Sequence, residues 1–130
     1  MLKIKQISIY RKGSPGQFEK MIRILAENKI NILSFMGYPS GKYDVVKIIV
    51  DKPEQAFKKL KNIRLNVYMK EVLPILLDDK PGGLYKIVKI VNKNEIHRGT
   101  ACTLILRDRK KAYLIADVGD VGNLKKLCRK

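Results

Sequence analysis

An internal repeat constrains the fold of this chain more than any other sequence feature. Residues 13–30 read GSPGQFEKMIRILAENKI, and residues 79–96 read DKPGGLYKIVKIVNKNEI. Both segments contain a Pro-Gly turn, continue with apolar residues at helical spacing and close on Asn-x-Ile. The matched residues, each pair 66 positions apart, are Pro15 and Pro81, Gly16 and Gly82, Phe18 and Leu84, Ile22 and Val88, Asn28 and Asn94, and Ile30 and Ile96. The chain is therefore expected to build one small unit twice.

Hydrophobic periodicity predicts the order βαββαβ for the first copy. A helix begins near Pro15, where the missing N–H of proline costs nothing, and Asn28 is expected to supply its left-handed C-cap. Its apolar stripe has the i, i+3, i+4, i+7 spacing of an amphipathic helix and consists of Phe18, Met21, Ile22 and Leu25. The remaining predicted elements are strands 2–10, 30–38, 43–51 and 63–71, and a helix over 52–62 with Ala56, Phe57 and Leu60 facing inward.

The second copy repeats this order but stops early, as βαββα. Its helical stripe consists of Leu84, Ile87, Val88 and Val91, and its predicted strands are 72–79, 100–106 and 111–117, followed by a short helix over 121–130. The run 63–77 contains one breaker, Pro74, so the strands on either side of the copy boundary are nearly continuous. How that run bends is left open.

A βαββαβ unit is the split βαβ, or ferredoxin-like, arrangement. We therefore predict an α+β fold of two tandem ferredoxin-like units, 1–71 and 72–130, with antiparallel sheets, helices on one face and no last strand in the second unit. Both first-helix stripes should be buried, with Phe18 and Leu84 in equivalent environments. The unpaired strand edge left in the second unit predicts a homodimer, because exposed edges tend to be covered.

The net charge of +16, from 28 Lys and Arg against 12 Asp and Glu, has several readings. It fits a nucleic-acid partner, an acidic partner or a solvated basic surface, and the scattered lysines favour the last. RNA-recognition sheets carry a linear aromatic motif, which the nearest stretch, MGYPSGKYDVV, does not match. No apolar run is long enough to span a membrane. Cys102 and Cys128 are interpreted as reduced thiols of a cytoplasmic protein, with a disulfide between them as the alternative.

The two Pro-Gly segments resemble the region from the first strand to the first helix of ACT domains. A polar-x-Pro-Gly-x-Leu turn, an amphipathic helix and an Ile-Asn-Ile entry into the next strand are typical of that family. Two copies in one short chain resemble the tandem ACT-domain proteins. The resemblance implies a non-enzymatic regulatory protein that binds an amino acid near the turn before the first helix, at an interface between units. It names neither the amino acid nor the regulated partner, and it implies no cofactor.

The candidate ligand residues follow from this resemblance and from the chemistry of helix N-termini, where N–H groups without internal partners favour a carboxylate. In the second copy they are Asp79, Lys80, Gly82, Gly83, Leu84 and His97; in the first copy they are Ser14, Gly16 and Asn31. Glycine lets a ligand approach the backbone closely. Two roles fit Asp79, namely a partner for the ligand's ammonium group or a helix N-cap.

The sequence offers little for catalysis or metal binding. His97 is the single histidine, and no nucleophile motif or cluster of metal ligands accompanies it. The segment GDVGN at 119–123 lacks the lysine of a phosphate-binding loop and is interpreted as a helix entry. We therefore predict no enzyme activity. The alternative function is binding of RNA or DNA on a ferredoxin-like sheet.

Overall fold

The computed structural model of the chain describes residues 4–12, 15–93, 100–106 and 111–117. The predicted helix over 121–130 and Gly13 lie outside these residues. The elements, in chain order, are β1 (Ile4–Lys12), α1 (Pro15–Glu27), β2 (Ile32–Ser40), β3 (Tyr43–Val50), α2 (Pro53–Asn62), β4 (Asn66–Leu77), α3 (Gly83–Lys93), β5 (Thr100–Leu106) and β6 (Lys111–Asp117). This order and the antiparallel pairing confirm the α+β, ferredoxin-like fold class.

Contacts divide the chain into two compact units. One unit comprises Lys5–Glu71 and is called the N-terminal unit. The other, the C-terminal unit, comprises the described residues from Val72 onward together with Ile4. Strand β4 begins in the first unit and ends in the second.

The N-terminal unit is a four-stranded sheet covered on one face by α1 and α2. Its strand order is β2-β3-β1-β4, and β3 pairs antiparallel with both of its neighbours. The core lies between the sheet and the helices because alternate strand residues point to that face. The buried core residues are Ile7, Ile9, Met21, Leu25, Ile30, Val46, Ile48, Val50, Ala56, Leu60, Leu65 and Val67.

Helix α1 begins at Pro15 as predicted, but its C-cap differs from the prediction. Lys29, and not Asn28, takes the left-handed conformation, with φ of 58°. The N–H of Ile30 donates to Leu25 and that of Lys29 to Ala26, at 2.9 and 3.0 Å, which is the hydrogen-bond pattern of a Schellman motif. The Asn28 side chain instead donates to the carbonyl of Ile24 at 2.7 Å. Asparagine therefore closes the last turn with its amide, one residue before the left-handed position.

Helix α2 also begins at a proline, Pro53, and buries the predicted side chains. Ala56 and Leu60 are fully buried, and Phe57 packs against the core while partly exposed. At its first turn the carboxylate of Glu54 accepts a hydrogen bond of 2.6 Å from the Nζ of Lys5 on β1. The three buried or packed residues follow helical spacing, which explains why sequence periodicity located them.

The C-terminal unit is built on the end of β4, with strand order β4-β6-β5. The predicted strands 63–71 and 72–79 are in fact one strand, β4, which runs through Pro74. Pro74 lies opposite Ile115 of β6, and the neighbouring Ile75 is buried. The hairpin of β5 and β6 pairs from Thr100 with Asp117 to Leu106 with Lys111, as the sequence predicted.

Helix α3 does not bury its apolar stripe as α1 does. Met21 and Leu25 of α1 are fully buried, whereas Leu84 and Val88 of α3 are 46% and 50% exposed. The prediction that Phe18 and Leu84 occupy equivalent environments is therefore wrong, because Phe18 packs against the core and nearly half of Leu84 is exposed to solvent. In the N-terminal unit α1 packs beside α2, whereas α3 is the one helix among the described residues of the C-terminal unit.

Candidate ligand site at the turn before α3

The segment between β4 and α3 forms a tight turn over Lys80–Gly83. The N–H of Gly83 donates to the carbonyl of Lys80 at 3.0 Å, which closes a four-residue β-turn. Pro81 occupies the second position, where its ring sets φ near −65°. Gly82 occupies the third with φ of 89°. Proline followed by a residue of positive φ is the signature of a type II turn, which requires glycine at this point.

The two glycines of this turn have different roles. A Cβ at Gly82 would meet nothing within 4 Å, so the space above it is open. Gly83 is buried, and a Cβ there would overlap the carbonyl oxygen of Asp78. That same carbonyl accepts a 2.8 Å hydrogen bond from the N–H of Lys80. Gly83 is thus required by the packing of the turn, and Gly82 by its backbone conformation.

The N-terminus of α3 presents donors toward the turn. The carbonyl of Gly82 accepts the first helical hydrogen bond, from the N–H of Lys86 at 3.2 Å, so Gly82 is the N-cap residue. The N–H of Gly83 is already used within the turn. Within the described ranges, the N–H groups of Leu84 and Tyr85 donate no hydrogen bond to the backbone. These two donors, together with the helix dipole, can bind an anion.

Two carboxylates precede the turn. The Oδ2 of Asp78 lies 3.9 Å from the Nζ of Lys86 and forms an exposed ion pair. Asp79 is exposed, and no residue in the described part of the chain pairs with its side chain. The N-cap role is filled by Gly82, so the structure does not use Asp79 as the cap. Lys80 is also exposed and contributes its backbone to the turn.

The equivalent turn of the first copy has a different geometry. Helix α1 includes Pro15 and Gly16, so it starts two residues earlier in the repeat than α3 does. A Cβ at Gly16 would meet nothing within 4 Å, and Ser14 lies outside the described residues. The structure therefore gives the two Pro-Gly pairs different roles, one inside a helix and one in a turn.

Asn31 lies at the opposite end of α1 from Gly16. Its N–H donates to Oδ1 of Asp51 at 2.9 Å, and its carbonyl accepts from the N–H of Asp51 at 3.1 Å. The 13 residues of α1 separate Asn31 from the turn, which at 1.5 Å per residue is about 20 Å. One unit alone therefore does not bring Gly16 and Asn31 onto one small ligand. His97, the counterpart of Asn31 in the second copy, lies outside the described residues.

A second concave feature was missed by the sequence analysis. An open depression of about 440 Å³ is lined by Tyr10, Tyr43, Asn66 and Tyr68. These residues come from three strands that are distant in sequence, so no linear motif marks them. Among the described residues no three His, Cys, Asp or Glu side chains cluster as metal ligands, and no described helix has the length and apolarity to cross a membrane.

The family of the chain follows from its match to a family model. The model described as an ACT domain pair matches residues 2–122. The chain belongs to the ACT domain pair family. The repeat read from the sequence is therefore the pair of ACT units that defines this family. A search of curated proteins found no match to the chain.

Solved structures similar to this ACT domain pair share its fold at low sequence identity. A protein from Bacteroides thetaiotaomicron is 19% identical, with a TM-score of 0.84 over 98% of this chain and 87% of that one. The regulatory subunit of aspartate kinase from Thermus thermophilus, in a ligand-free form, is 15% identical, with a TM-score of 0.65 over 99% and 92%. The corresponding subunit from Thermus flavus is also 15% identical, with a TM-score of 0.63 over 99% and 92%.

Proposed function

We propose that this ACT domain pair is a non-enzymatic regulatory protein that binds a free amino acid at the turn before α3. One observation carries the proposal. Along the chain, an exposed carboxylate precedes Gly82, two backbone N–H donors follow it, and the space at Gly82 itself is open. The N–H groups of Leu84 and Tyr85 are suited to the ligand's carboxylate. The carboxylate of Asp79 is suited to its ammonium group. A Cβ at Gly82 would meet nothing within 4 Å, so there is open space at the turn for a small ligand.

The similar structures support a regulatory role. Two of them are regulatory subunits of aspartate kinase, and we propose by analogy that this chain controls a separate enzyme. We also propose a homodimer, in which a second copy places a strand start beside a helix-start turn, because within one unit the 13 residues of α1 hold Asn31 about 20 Å from the turn before α1. His97 and Lys80 remain candidate contacts of the bound ligand.

Isothermal titration of the full chain with each of the twenty amino acids tests the proposal. At least one should bind, and Asp79→Asn should weaken it by about ten- to a hundredfold, since a hydrogen bond to a charged group contributes about 1.5–3 kcal/mol. Asp78→Asn is the matched control. It removes the same charge one residue before Asp79, and the Asp78 carboxylate is already paired with Lys86. Equal affinity of Asp79→Asn and the parent chain would show that the ammonium site is misplaced.

A second pair of variants tests the open glycine. Gly82→Ala and Gly41→Ala both place a Cβ on a residue of positive φ, 89° and 62°, with nothing within 4 Å. Both should lose stability, by about 1–2 kcal/mol. Only Gly82→Ala should also weaken amino-acid binding, because its methyl group enters the proposed ligand space. If both variants bind the amino acid as tightly as the parent chain, the ligand does not contact this turn.

A further inference from the structure

The open depression on the N-terminal unit is lined by Tyr10, Tyr43, Tyr68 and Asn66, which together are called the tyrosine face. Strand residues alternate between faces, and the neighbours of these tyrosines point toward the helices. The core residues that fix this alternation are Ile7, Ile9, Val46, Ile48 and Val67. The tyrosines therefore project from the sheet face opposite α1 and α2, where they add nothing to the core between the sheet and these helices.

The rings of the tyrosine face are arranged with their surfaces accessible. Tyr10 and Tyr68 meet edge to face, with centroids 5.6 Å apart and planes at 81°. Tyr68 is nevertheless 61% exposed and Tyr43 is 40% exposed. On the same face, Val45, which lies opposite Tyr10 in the strand pairing, is buried, and so is Ile49 farther along β3. The accessible aromatic surface of this face is thus provided by the rings of Tyr68 and Tyr43.

The charged residues that the described strands place around the tyrosines are lysines. Lys12 lies directly opposite Tyr43 in the pairing of β1 with β3, and so shares its face. Lys70 follows Tyr68 by two residues, and so shares the face of that tyrosine. The strand residues described in this unit contain two carboxylates, Asp44 and Glu71.

Both carboxylates lie on the other face. Oδ2 of Asp44 is 3.7 Å from a guanidinium nitrogen of Arg11, which in turn lies over the ring of Phe18 of α1. Glu71 follows Met69 of β4 by two residues and so shares its face, and Met69 packs against the core beneath the helices. The strands therefore direct their described acids toward the helices, and Tyr43 and Tyr68 toward a lysine-bearing surface. A polyanion with flat, stackable groups complements that surface.

We propose that the tyrosine face binds single-stranded nucleic acid. Bases stack on Tyr68 and Tyr43, Lys12 and Lys70 meet the phosphates, and the amide of Asn66 reaches a base edge. Single strands suit such a platform because their bases are exposed and every base has a π-face, whereas a duplex keeps its bases stacked. The net charge of +16 adds long-range attraction. This binding is separate from the amino-acid site and does not depend on it.

Fluorescence anisotropy with labelled 12-nucleotide single strands of RNA and DNA, and with the matching duplex, tests the proposal on the full chain. The single strands should bind at 50 mM salt with a dissociation constant of about 1–100 µM. The duplex should bind more weakly. The RNA and DNA arms distinguish which single strand is preferred.

Tyr68→Ala should weaken binding by roughly five- to a hundredfold, the effect of removing one stacking ring. Tyr68→Phe should retain most of the affinity, because the stacking surface remains. The matched control is Tyr85→Ala on α3 of the C-terminal unit, where the ring is 67% exposed. Equal losses in Tyr68→Ala and Tyr85→Ala would overturn the proposal in favour of binding through charge alone.

The salt dependence provides an independent readout. Lys12→Ala should make the plot of log affinity against log salt less steep by about 0.7, the contribution of one phosphate contact on a single strand. Lys58→Ala, an exposed lysine on α2, is the control with the same charge change and should leave the slope unchanged. The absence of single-strand binding at 100 µM protein would overturn the proposal. Self-association that Tyr68→Ala abolishes, without any binding of single strands, would instead identify another copy of this chain as the occupant.

Discussion

Gly83 offers the sharpest test of how the turn before α3 is built. By the sequence repeat, Gly83 corresponds to Gln17, so a side chain at this position would be expected to do no harm. The structure predicts the opposite for Gly83→Ala. A Cβ at Gly83 would overlap the carbonyl oxygen of Asp78 and lie 3.0 Å from its carbonyl carbon. Since both atoms are backbone, no side-chain rotation relieves the overlap.

The expected loss can be worked from these contacts. Overpacking of a buried position costs typically about 1–3 kcal/mol. Moving the Asp78 carbonyl also breaks its 2.8 Å hydrogen bond with the N–H of Lys80, for about 1 kcal/mol more. Gly83→Ala should therefore lower the free energy of unfolding by about 2–4 kcal/mol. With a urea dependence of about 2 kcal/mol per molar, the midpoint should fall by about 1–2 M.

Urea denaturation followed by circular dichroism measures this loss, with Gly16→Ala as the matched control. Gly16 lies in α1, and a Cβ there would meet nothing within 4 Å. Alanine should leave the midpoint unchanged or raise it, since it favours the helix over glycine by up to about 1 kcal/mol. If Gly83→Ala is as stable as Gly16→Ala, the close approach of Asp78 does not determine this turn and the reasoning fails.

Two further predictions concern packing and pH. Leu60→Ala should lower the free energy of unfolding by about 2–5 kcal/mol because Leu60 is fully buried. Leu84→Ala should lower it by less than about 1 kcal/mol because Leu84 is exposed. Equal losses of stability in thermal unfolding would contradict the different burial of α2 and α3. The hydrogen bond between Lys5 and Glu54 lowers the pKa of Glu54 and raises the pKa of Lys5. The stability that this pair contributes is therefore present at neutral pH. It is lost as the pH falls through the folded-state pKa of Glu54, and also as the pH rises through the folded-state pKa of Lys5. Carboxyl NMR titration should show the pKa of Glu54 rising in Lys5→Met but not in Lys58→Met, and an unchanged value in Lys5→Met would show that the ion pair does not form in solution.

The local elements of this protein were predictable because short-range chemistry determines them. The prolines at residues 15 and 53 mark the starts of α1 and α2, and the spacing of Met21 and Leu25 identifies the buried face of α1. The order of strands and helices then leaves the ferredoxin-like arrangement as the expected fold. The internal repeat revealed two related units, since both copies keep the same apolar spacing.

The candidate amino-acid site was only partly readable from the sequence. The Pro-Gly-Gly segment predicted a turn leading into a helix, and the type II geometry at Gly82 follows from those residue types. The sequence did not reveal that the N–H of Gly83 is consumed by the turn or that Gly82, not Asp79, caps α3. Hydrogen-bond partners of a turn depend on where the chain enters and leaves it, which residue types alone do not specify.

The elements, their order and the similarity of the two halves could be predicted from the sequence, because these depend on contacts between residues close in the chain. How far those elements are buried and which distant residues meet depend on the tertiary structure. Leu84 matches Phe18 in spacing but lies on a helix that leaves its stripe exposed. Tyr10, Tyr43 and Tyr68 share one face because three strands pair in a particular register. Burial and register arise from long-range pairing, and no periodicity within a single segment carries that information.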